Sequence, residues 1–141
     1  MTVLYRMEGE PAVEYTGRFS DVPDGKWYTD GVEWAASAGL DLGYGDGTFG
    51  QEDDVTREQL AAILYRYAIW KGYAVSAGEN VDMSDYGDPD AVSDWAAEAV
   101  RWAIGAGLLC AEEDGAIRPG EAATRAEIAK ALHVFLEDVA E

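Results

Sequence analysis

The sequence predicts an all-α fold built from helix–loop–helix repeats packed around a shared helical core. Two observations support this prediction. Residues 27–68 match residues 95–136 at a constant offset of 68, with 13 identities in 42 aligned positions and no gap, where chance predicts about two or three. Within each copy, two stretches with apolar residues at helical spacing flank a polar segment, which is rich in glycine in the first copy.

The helices of each copy are predicted from their apolar faces and their end signals. The first helix covers about 29–38 in one copy and about 94–106 in the other, and Gly39 and Gly107 follow as C-terminal caps. The second helix begins after Thr56 and after Thr124. Its apolar residues have amphipathic spacing: Leu60, Ile63, Leu64, Tyr67 and Ala68 in one copy, and Ile128, Ala131, Leu132, Phe135 and Leu136 in the other.

A partial third copy is predicted at the amino end, because residues 3–6 match residues 63–66 at an offset of 60. We therefore divide the chain into a helix remnant at 1–10, a repeat at 19–70 and a repeat at 81–138, which together form one domain. A short start signal precedes each full repeat, and we align residues 19–22 with residues 83–86, which places Asp85 opposite Asp21.

The composition excludes several classes of function. Acidic residues number 28 and basic residues 10, giving a net charge of −18, which repels nucleic acids and anionic membranes. No segment approaches a membrane span, and the start lacks the apolar region of a signal peptide, so an extracellular protein would carry its signal outside this chain. Cys110 is the single cysteine and is expected to be buried, while the single histidine, His133, is expected on a helix surface.

Each second helix opens with the same pair of residues, Thr56-Arg57 and Thr124-Arg125. Gln59 and Glu127 follow the threonines at the spacing of a capping box, which explains the threonines. Capping does not explain the arginines, since a cation in the first turn opposes the helix dipole. An arginine beside free backbone N–H groups is suited to a carboxylate ligand, so structural capping and anion binding both stay open.

The loop of the first copy and four tryptophans are further candidates. Gly43 and Asp46 belong to a tight turn, whose alternative role is to present backbone to a sugar while the aspartate accepts hydroxyl protons. Trp34 and Trp102 lie within the first helices, and Trp27 and Trp95 precede or open them. We expect all four tryptophans in the core, with stacking of a half-exposed Trp27 or Trp95 on a sugar face as the alternative.

Cofactor, metal and catalytic sites are not predicted. Acidic residues near the first loop would attract calcium, but the alternating ligand pattern of an EF-hand does not occur: Asp41, Asp46, Glu52, Asp53 and Asp54. No paired-carboxylate constellation, phosphate-binding loop or nucleophile elbow stands out, so we predict a protein that is not an enzyme.

As an ordered set, the motifs of the first copy resemble a surface-layer homology (SLH) repeat over its whole length, and residues 124–127, Thr-Arg-Ala-Glu, are similar to that family's best-known signature. The resemblance implies a pseudo-threefold arrangement, incomplete here, on the bacterial cell surface. It also implies noncovalent anchoring to a secondary cell-wall polysaccharide that often bears pyruvate ketals. Carried over, the implied glycan-binding residues are Arg57, Arg125, Gly43, Asp46, Trp27, Trp95, Thr56, Thr124 and Glu127.

The second copy departs from the family pattern in its loop, where residues 111–113 read Ala-Glu-Glu and two glutamates would repel a ligand carboxylate. The first copy departs in its motif, which reads Thr-Arg-Glu-Gln. Two alternatives therefore stand beside glycan anchoring. One is a degenerate module used for protein–protein contact, self-association or spacing, and the other is a calcium-stabilised acidic surface module.

Overall fold

A computed structural model describes residues 2–40, 46–50 and 55–139. Its α-helices within these ranges are α1 (Thr2–Met7), α2 (Thr29–Ser37), α3 (Arg57–Lys71), α4 (Ala97–Gly105) and α5 (Arg125–Val134). Single 3-10 turns lie at Ser76–Gly78, Met83–Asp85, Pro89–Ala91 and Asp94–Ala96, and a π-helical turn lies at Phe135–Val139. Across the described residues, β-pairing is limited to one isolated bridge between Thr56 and Ala122, which confirms the all-α prediction.

The chain divides into two compact units, Met1–Asp53 and Asp54–Glu141. The division falls between the two helices of the first repeat copy. Within its unit, α1 packs against α2, and in the other unit α3 packs against α4. In the predicted repeat, each of these pairs is the second helix of one copy and the first helix of the next. The repeat boundaries drawn from the sequence, and a core shared by all repeats, stay predictions.

The core of the first unit forms where α1 meets α2. The ring of Tyr5 lies 5.8 Å from that of Trp34, and both side chains are buried. A second cluster lies beneath the start signal, where Phe49 packs edge-on against Phe19 at 5.2 Å. Each large apolar side chain buried in this way stabilises the fold by about 1.5–3 kcal/mol.

The second unit repeats the same helix contact. The ring of Tyr65 lies 5.4 Å from that of Trp102, which is the contact between Tyr5 and Trp34 carried to the next copy. This recurrence supports the interpretation of α1 as the second helix of a further copy. Buried Phe135 then joins α5 to the end of α3, with its ring 5.6 Å from that of Tyr67.

The predicted helix ends are confirmed. Gly39 and Gly107 follow α2 and α4 with φ of +75° and +80°, a left-handed conformation that costs a residue without a Cβ little. The predicted helix over 94–106 starts as a 3-10 turn and becomes α-helical at Ala97. None of the helices in the described part of the chain is long and apolar enough to cross a membrane.

The predictions for the single histidine and the single cysteine have different outcomes. His133 is exposed on α5, as predicted, with 69% of its side chain accessible. The expectation that Cys110 is buried is wrong, because the residue is exposed. The apolar run that suggested burial ends at Leu109, which is buried, and the Cys110 sulfur lies 3.4 Å from the Lys130 Nζ.

Candidate functional site

The start of α3 is closed by hydrogen bonds from two directions. Thr56 is the N-cap; its hydroxyl accepts from the Gln59 amide at 3.2 Å, and the Gln59 side-chain oxygen accepts from the Thr56 amide at 3.0 Å. The two amides in between donate to the carbonyls of Glu121 and Pro119 at 2.9 and 3.0 Å. The predicted capping box is confirmed here, and each of these four amides has an acceptor.

Arg57 is buried at this closed helix start, with 4% of its side chain exposed. Its Nε donates to the Ile117 carbonyl at 2.8 Å, its Nη2 donates to the Cys110 carbonyl, and its Nη1 donates to the Glu127 carboxylate at 2.7 Å. The Glu112 carboxylate lies 3.6 Å from the same Nη1. The guanidinium is therefore held on three sides by acceptors of the chain itself, two of them backbone carbonyls.

The start of α5 carries the same residue pair but is open. Thr124 is the N-cap, and its hydroxyl accepts from the Glu127 amide at 3.1 Å. The return half of the capping box is missing, because the Glu127 carboxylate reaches Arg57 instead. Within the described ranges, the amides of Thr124, Arg125 and Ala126 have no acceptor. The complete capping box predicted for this helix is therefore wrong in its second half.

Arg125 lies at the first position of α5 and is exposed. Across the described residues its guanidinium has no hydrogen-bond or ion-pair partner. It therefore presents a positive charge beside unpaired amides at the positive end of a helix dipole. The anion-binding alternative requires this arrangement, and of the two helix starts only that of α5 has it in the described ranges.

The prediction that Trp27 and Trp95 lie in the core is wrong. Their exposed fractions are 77% and 57%, whereas Trp34 and Trp102 are buried at 4% and 1%, as predicted. The reason is position, because the two exposed residues precede α2 and α4 while the buried pair lies inside these helices. Both copies therefore present an indole at the same place, which is the alternative of a ring available for stacking.

An aspartate clamps the loop of each copy. Asp21 accepts from the amides of Phe49 and Gly50, both at 2.8 Å. Asp88 accepts from the amides of Ile117 and Arg118 at 2.6 and 2.9 Å. Burial opposes ionisation of Asp21, but the two amides outweigh burial and hold its pKa below the usual value.

This geometry corrects the predicted alignment of the start signals. The Asp85 amide closes a local 3-10 turn onto the Asp82 carbonyl, and it is Asp88 that reaches the loop as Asp21 does. The neighbouring backbone bonds agree, since the Ser20 amide donates to Gly47 and the Gly87 amide donates to Gly115. The equivalence of residues 83–86 with 19–22 is therefore wrong, and the signal lies three residues later.

The loop turns rest on a second pair of aspartates. The exposed Asp46 accepts from the Thr48 hydroxyl at 2.5 Å and from its amide at 3.0 Å, and these bonds lower the pKa of the carboxyl. Asp114, its counterpart, accepts from the Ala116 amide at 3.0 Å and pairs with Arg118. Turn chemistry therefore accounts for Asp46. Gly43, the other predicted loop contact, lies outside the described residues.

Two buried glutamates were missed by sequence reasoning. Glu58 accepts from the amide and the hydroxyl of Ser93 at 2.9 and 2.8 Å. Glu33 accepts from the Thr16 hydroxyl at 2.9 Å and lies 3.5 Å from the Nε of Arg18. The available signal was an acidic residue within an apolar helical pattern, which marks a carboxylate that needs partners.

The structure assigns the predicted residues to two groups. Thr56, Arg57, Thr124, Arg125 and Glu127 lie together in the second unit, linked by the ion pair of Arg57 with Glu127. Asp46 and Trp27 belong to the first unit. Trp95 belongs to the second unit and lies within the 3-10 turn Asp94–Ala96 that precedes α4. The described ranges contain no group of three or more His, Cys, Asp or Glu residues suited to a metal ion, and Asp41, Glu52, Asp53 and Asp54 lie outside these ranges.

The sequence matches the S-layer homology domain at residues 18–61 and 85–129. Among similar proteins, exoglucanase XynX of Acetivibrio thermocellus is 35% identical over 124 residues, which cover 87% of this chain and 11% of that protein. Amylopullulanase of Thermoanaerobacterium thermosulfurigenes is 36% identical over 124 residues, covering 87% of this chain and 6% of the relative. The cellulosome-anchoring protein of Acetivibrio thermocellus is 30% identical over 95 residues, covering 67% and 20%.

The chain thus spans a fifth or less of the length of these relatives. No solved structure matches it significantly. The two family matches overlap the two sequence copies and include both Thr-Arg pairs. The chain belongs to the S-layer homology domain family and is a module of the bacterial cell surface.

Proposed function

We propose that this module is non-catalytic and anchors its parent protein by binding a carboxylate-bearing cell-wall polysaccharide, with Arg125 as the contact for the carboxylate. The observation that supports this assignment is the open start of α5. There an exposed guanidinium without a carboxylate partner in the described ranges lies beside unpaired amides. Such a group binds a planar carboxylate through two parallel hydrogen bonds.

Arg57 is left out of the proposed contact set. Its guanidinium is buried and already faces Glu127 and Glu112. A ligand carboxylate would have to displace these groups and enter a region with two negative charges, which opposes binding. Thr56 and Gln59 serve the capping of α3, so the first Thr-Arg pair holds the fold together.

The exposed indoles of Trp27 and Trp95 supply the apolar part of the proposed recognition. Sugar rings present C–H faces that pack on indole rings, and these two side chains are exposed at equivalent places in the two copies. Gly43 remains a proposed contact from the family pattern, while Asp46 is a weaker one because its carboxylate is used within its own turn.

The net charge of −18 makes local geometry decisive. An anionic polymer is repelled by such a chain at long range. At physiological ionic strength charges separated by more than about 8 Å are largely screened. An arginine without an ion-pair partner in the described ranges therefore counts for more at the point of contact than acidic residues farther away on the surface. Binding through this contact is expected to survive moderate salt.

The test is a calorimetric titration of the chain with purified pyruvylated wall polysaccharide. The same polymer after mild acid removal of its ketals is the matched ligand control. Arg125→Ala is expected to weaken binding at least about tenfold, which corresponds to one lost charge-assisted contact. Arg6→Ala removes an exposed cation with the same change of net charge and is expected to bind as the parent does.

A second candidate function, contact with another protein, is favoured by the closed site at Arg57. If the parent chain binds neither form of the polymer and elutes as a defined oligomer, the proposal of carbohydrate anchoring is wrong. Contact with another protein then becomes the proposed function. Equal binding of both polymer forms would instead remove the carboxylate from the proposal and leave sugar stacking on the tryptophans.

A further inference from the structure

The side chains of Gln59 and Glu127 hold the same place in their motifs but point to different partners. Gln59 folds back to the Thr56 amide at 3.0 Å and completes the capping box. Glu127 has the shape to do the same for Thr124, yet its carboxylate lies 2.7 Å from the Arg57 Nη1. Whether the Thr124 amide has an acceptor therefore depends on which partner Glu127, the third residue of α5, contacts.

Arg57 is built to hold Glu127 in this position. Two of its nitrogens are fixed by the carbonyls of Ile117 and Cys110, so the remaining Nη1 has a set direction. A buried guanidinium is a stronger partner for a carboxylate than a neutral amide at an exposed helix start. The Glu112 carboxylate lies 3.6 Å from the same nitrogen and is a second acid beside it.

We infer that Arg57 is a positioning residue for the site proposed at Arg125. By drawing the Glu127 carboxylate away from the Thr124 amide, it keeps the start of α5 free for the carboxylate of the ligand. This inference rests on the proposed function. Without the ion pair, the Glu127 carboxylate would accept from the Thr124 amide and bring its negative charge to the residue next to Arg125, in competition with the ligand.

The two motif arginines are expected to act on binding in different ways. Arg125 acts on the ligand directly, so its removal cannot be repaired at Glu127. Arg57 acts through Glu127, so removal of the competing carboxylate repairs its loss. Arg57→Gln is expected to weaken binding of the pyruvylated polymer about tenfold, and the double variant Arg57→Gln with Glu127→Ala is expected to recover to within about threefold of the parent.

A ligand-free measurement tests the same step by itself. The Thr124 amide of the ¹⁵N-labelled chain is expected to move downfield in Arg57→Gln and to exchange more slowly with solvent, because it gains the Glu127 acceptor. Arg57→Lys keeps a cation opposite Glu127 and is expected to leave this amide as in the parent. A purely stabilising role of Arg57 would not move the Thr124 amide in this selective way.

The outcomes keep the two proposals apart. If the parent does not bind the polymer, the proposed function is wrong, while the Thr124 amide still decides the positioning role. If the parent binds but the double variant stays as weak as Arg57→Gln, or the amide does not change, the inference is overturned. Should Arg57→Gln not fold, Glu127→Ala alone decides the question. It is expected to bind at least as tightly as the parent, and a loss of binding would contradict the positioning role.

Discussion

The starts of α3 and α5 carry the same Thr-Arg pair and yet differ in almost every contact. At α3 the arginine is buried and the first amides are occupied by the segment that precedes α5. At α5 the arginine is exposed, and its neighbouring amides have no acceptor within the described ranges. The residues that pack against this motif therefore determine its role. The motif alone does not identify a ligand contact.

The largest expected effect is a difference in the free energy of unfolding between variants of Arg57 and Arg125. Arg57→Met removes three donors and leaves Glu127 and Glu112 together without their cation, so we expect a loss of about 3 kcal/mol in the free energy of unfolding of the second unit. Arg125→Met, at an exposed position, is expected to change it by less than about 0.5 kcal/mol. Urea unfolding followed by tryptophan fluorescence measures both, and equal losses would contradict the comparison.

The next effect concerns the two loop clamps, which the structure makes equivalent. Asp21→Asn and Asp88→Asn each keep the shape of the side chain but replace charge-assisted bonds to two amides by one neutral bond. We expect each to cost about 2 kcal/mol. Asp85→Asn is the control, because it makes the same chemical change at a residue without a loop contact. It is expected to leave the midpoint of thermal unfolding unchanged. A large effect of Asp85→Asn would restore the alignment of residues 83–86 with 19–22.

A smaller effect distinguishes the two threonine caps. Thr56→Ala breaks a complete capping box and is expected to cost about 1–2 kcal/mol, whereas Thr124→Ala breaks half of one and is expected to cost about 0.5–1 kcal/mol. Gln59→Ala should lower the stability of α3 by a few tenths of a kcal/mol to about 1 kcal/mol. Circular dichroism during thermal unfolding gives the order, and a Thr124 variant that is the less stable of the two would reverse it.

The smallest and most gradual effect is the dependence of the first unit on pH. The pKa of Asp21 is lowered in the folded state, since the amides of Phe49 and Gly50 outweigh burial. The stabilisation is therefore present above the unfolded pKa of about 3.9 and is lost as the pH falls through the lower folded pKa. Asp21→Asn is expected to flatten the acid limb of the stability curve, and an unchanged slope between pH 5 and pH 2 would exclude the clamp as its cause.

Much of the fold was accessible from the sequence because its signals act locally. Gly39 and Gly107 end their helices through their own backbone conformation, and Thr56 and Thr124 cap helices through amides three residues away. The 68-residue offset carried these assignments from one copy to the other. The start signal was misaligned because Ser84-Asp85 repeats the residues Ser20-Asp21, whereas the bonds made by Asp88 locate the register three residues later.

The candidate site was less accessible because its decisive contacts are remote in sequence. The partners of Arg57 lie 53, 60 and 70 residues further along the chain, so no local pattern distinguishes it from Arg125. The exposure of Trp27 and Trp95 follows from their positions before α2 and α4, and the sequence pattern did not distinguish them from the buried tryptophans inside these helices. Arg57 and Arg125 occupy the same place in aligned motifs and therefore received the same prediction. Packing against the second copy buries Arg57, whereas Arg125 is exposed.

The start of α3 is bonded to the segment between α4 and α5. The acceptors of these bonds are mainly main-chain carbonyls, those of Cys110, Ile117, Pro119 and Glu121. Every amino acid supplies such an acceptor, so the joint places few demands on which side chains occupy the following loop. A change of side chain in that loop, such as glutamate in place of glycine, is therefore compatible with these main-chain bonds. The loop of the second copy can thus differ from that of the first while its contact with the start of α3 is kept.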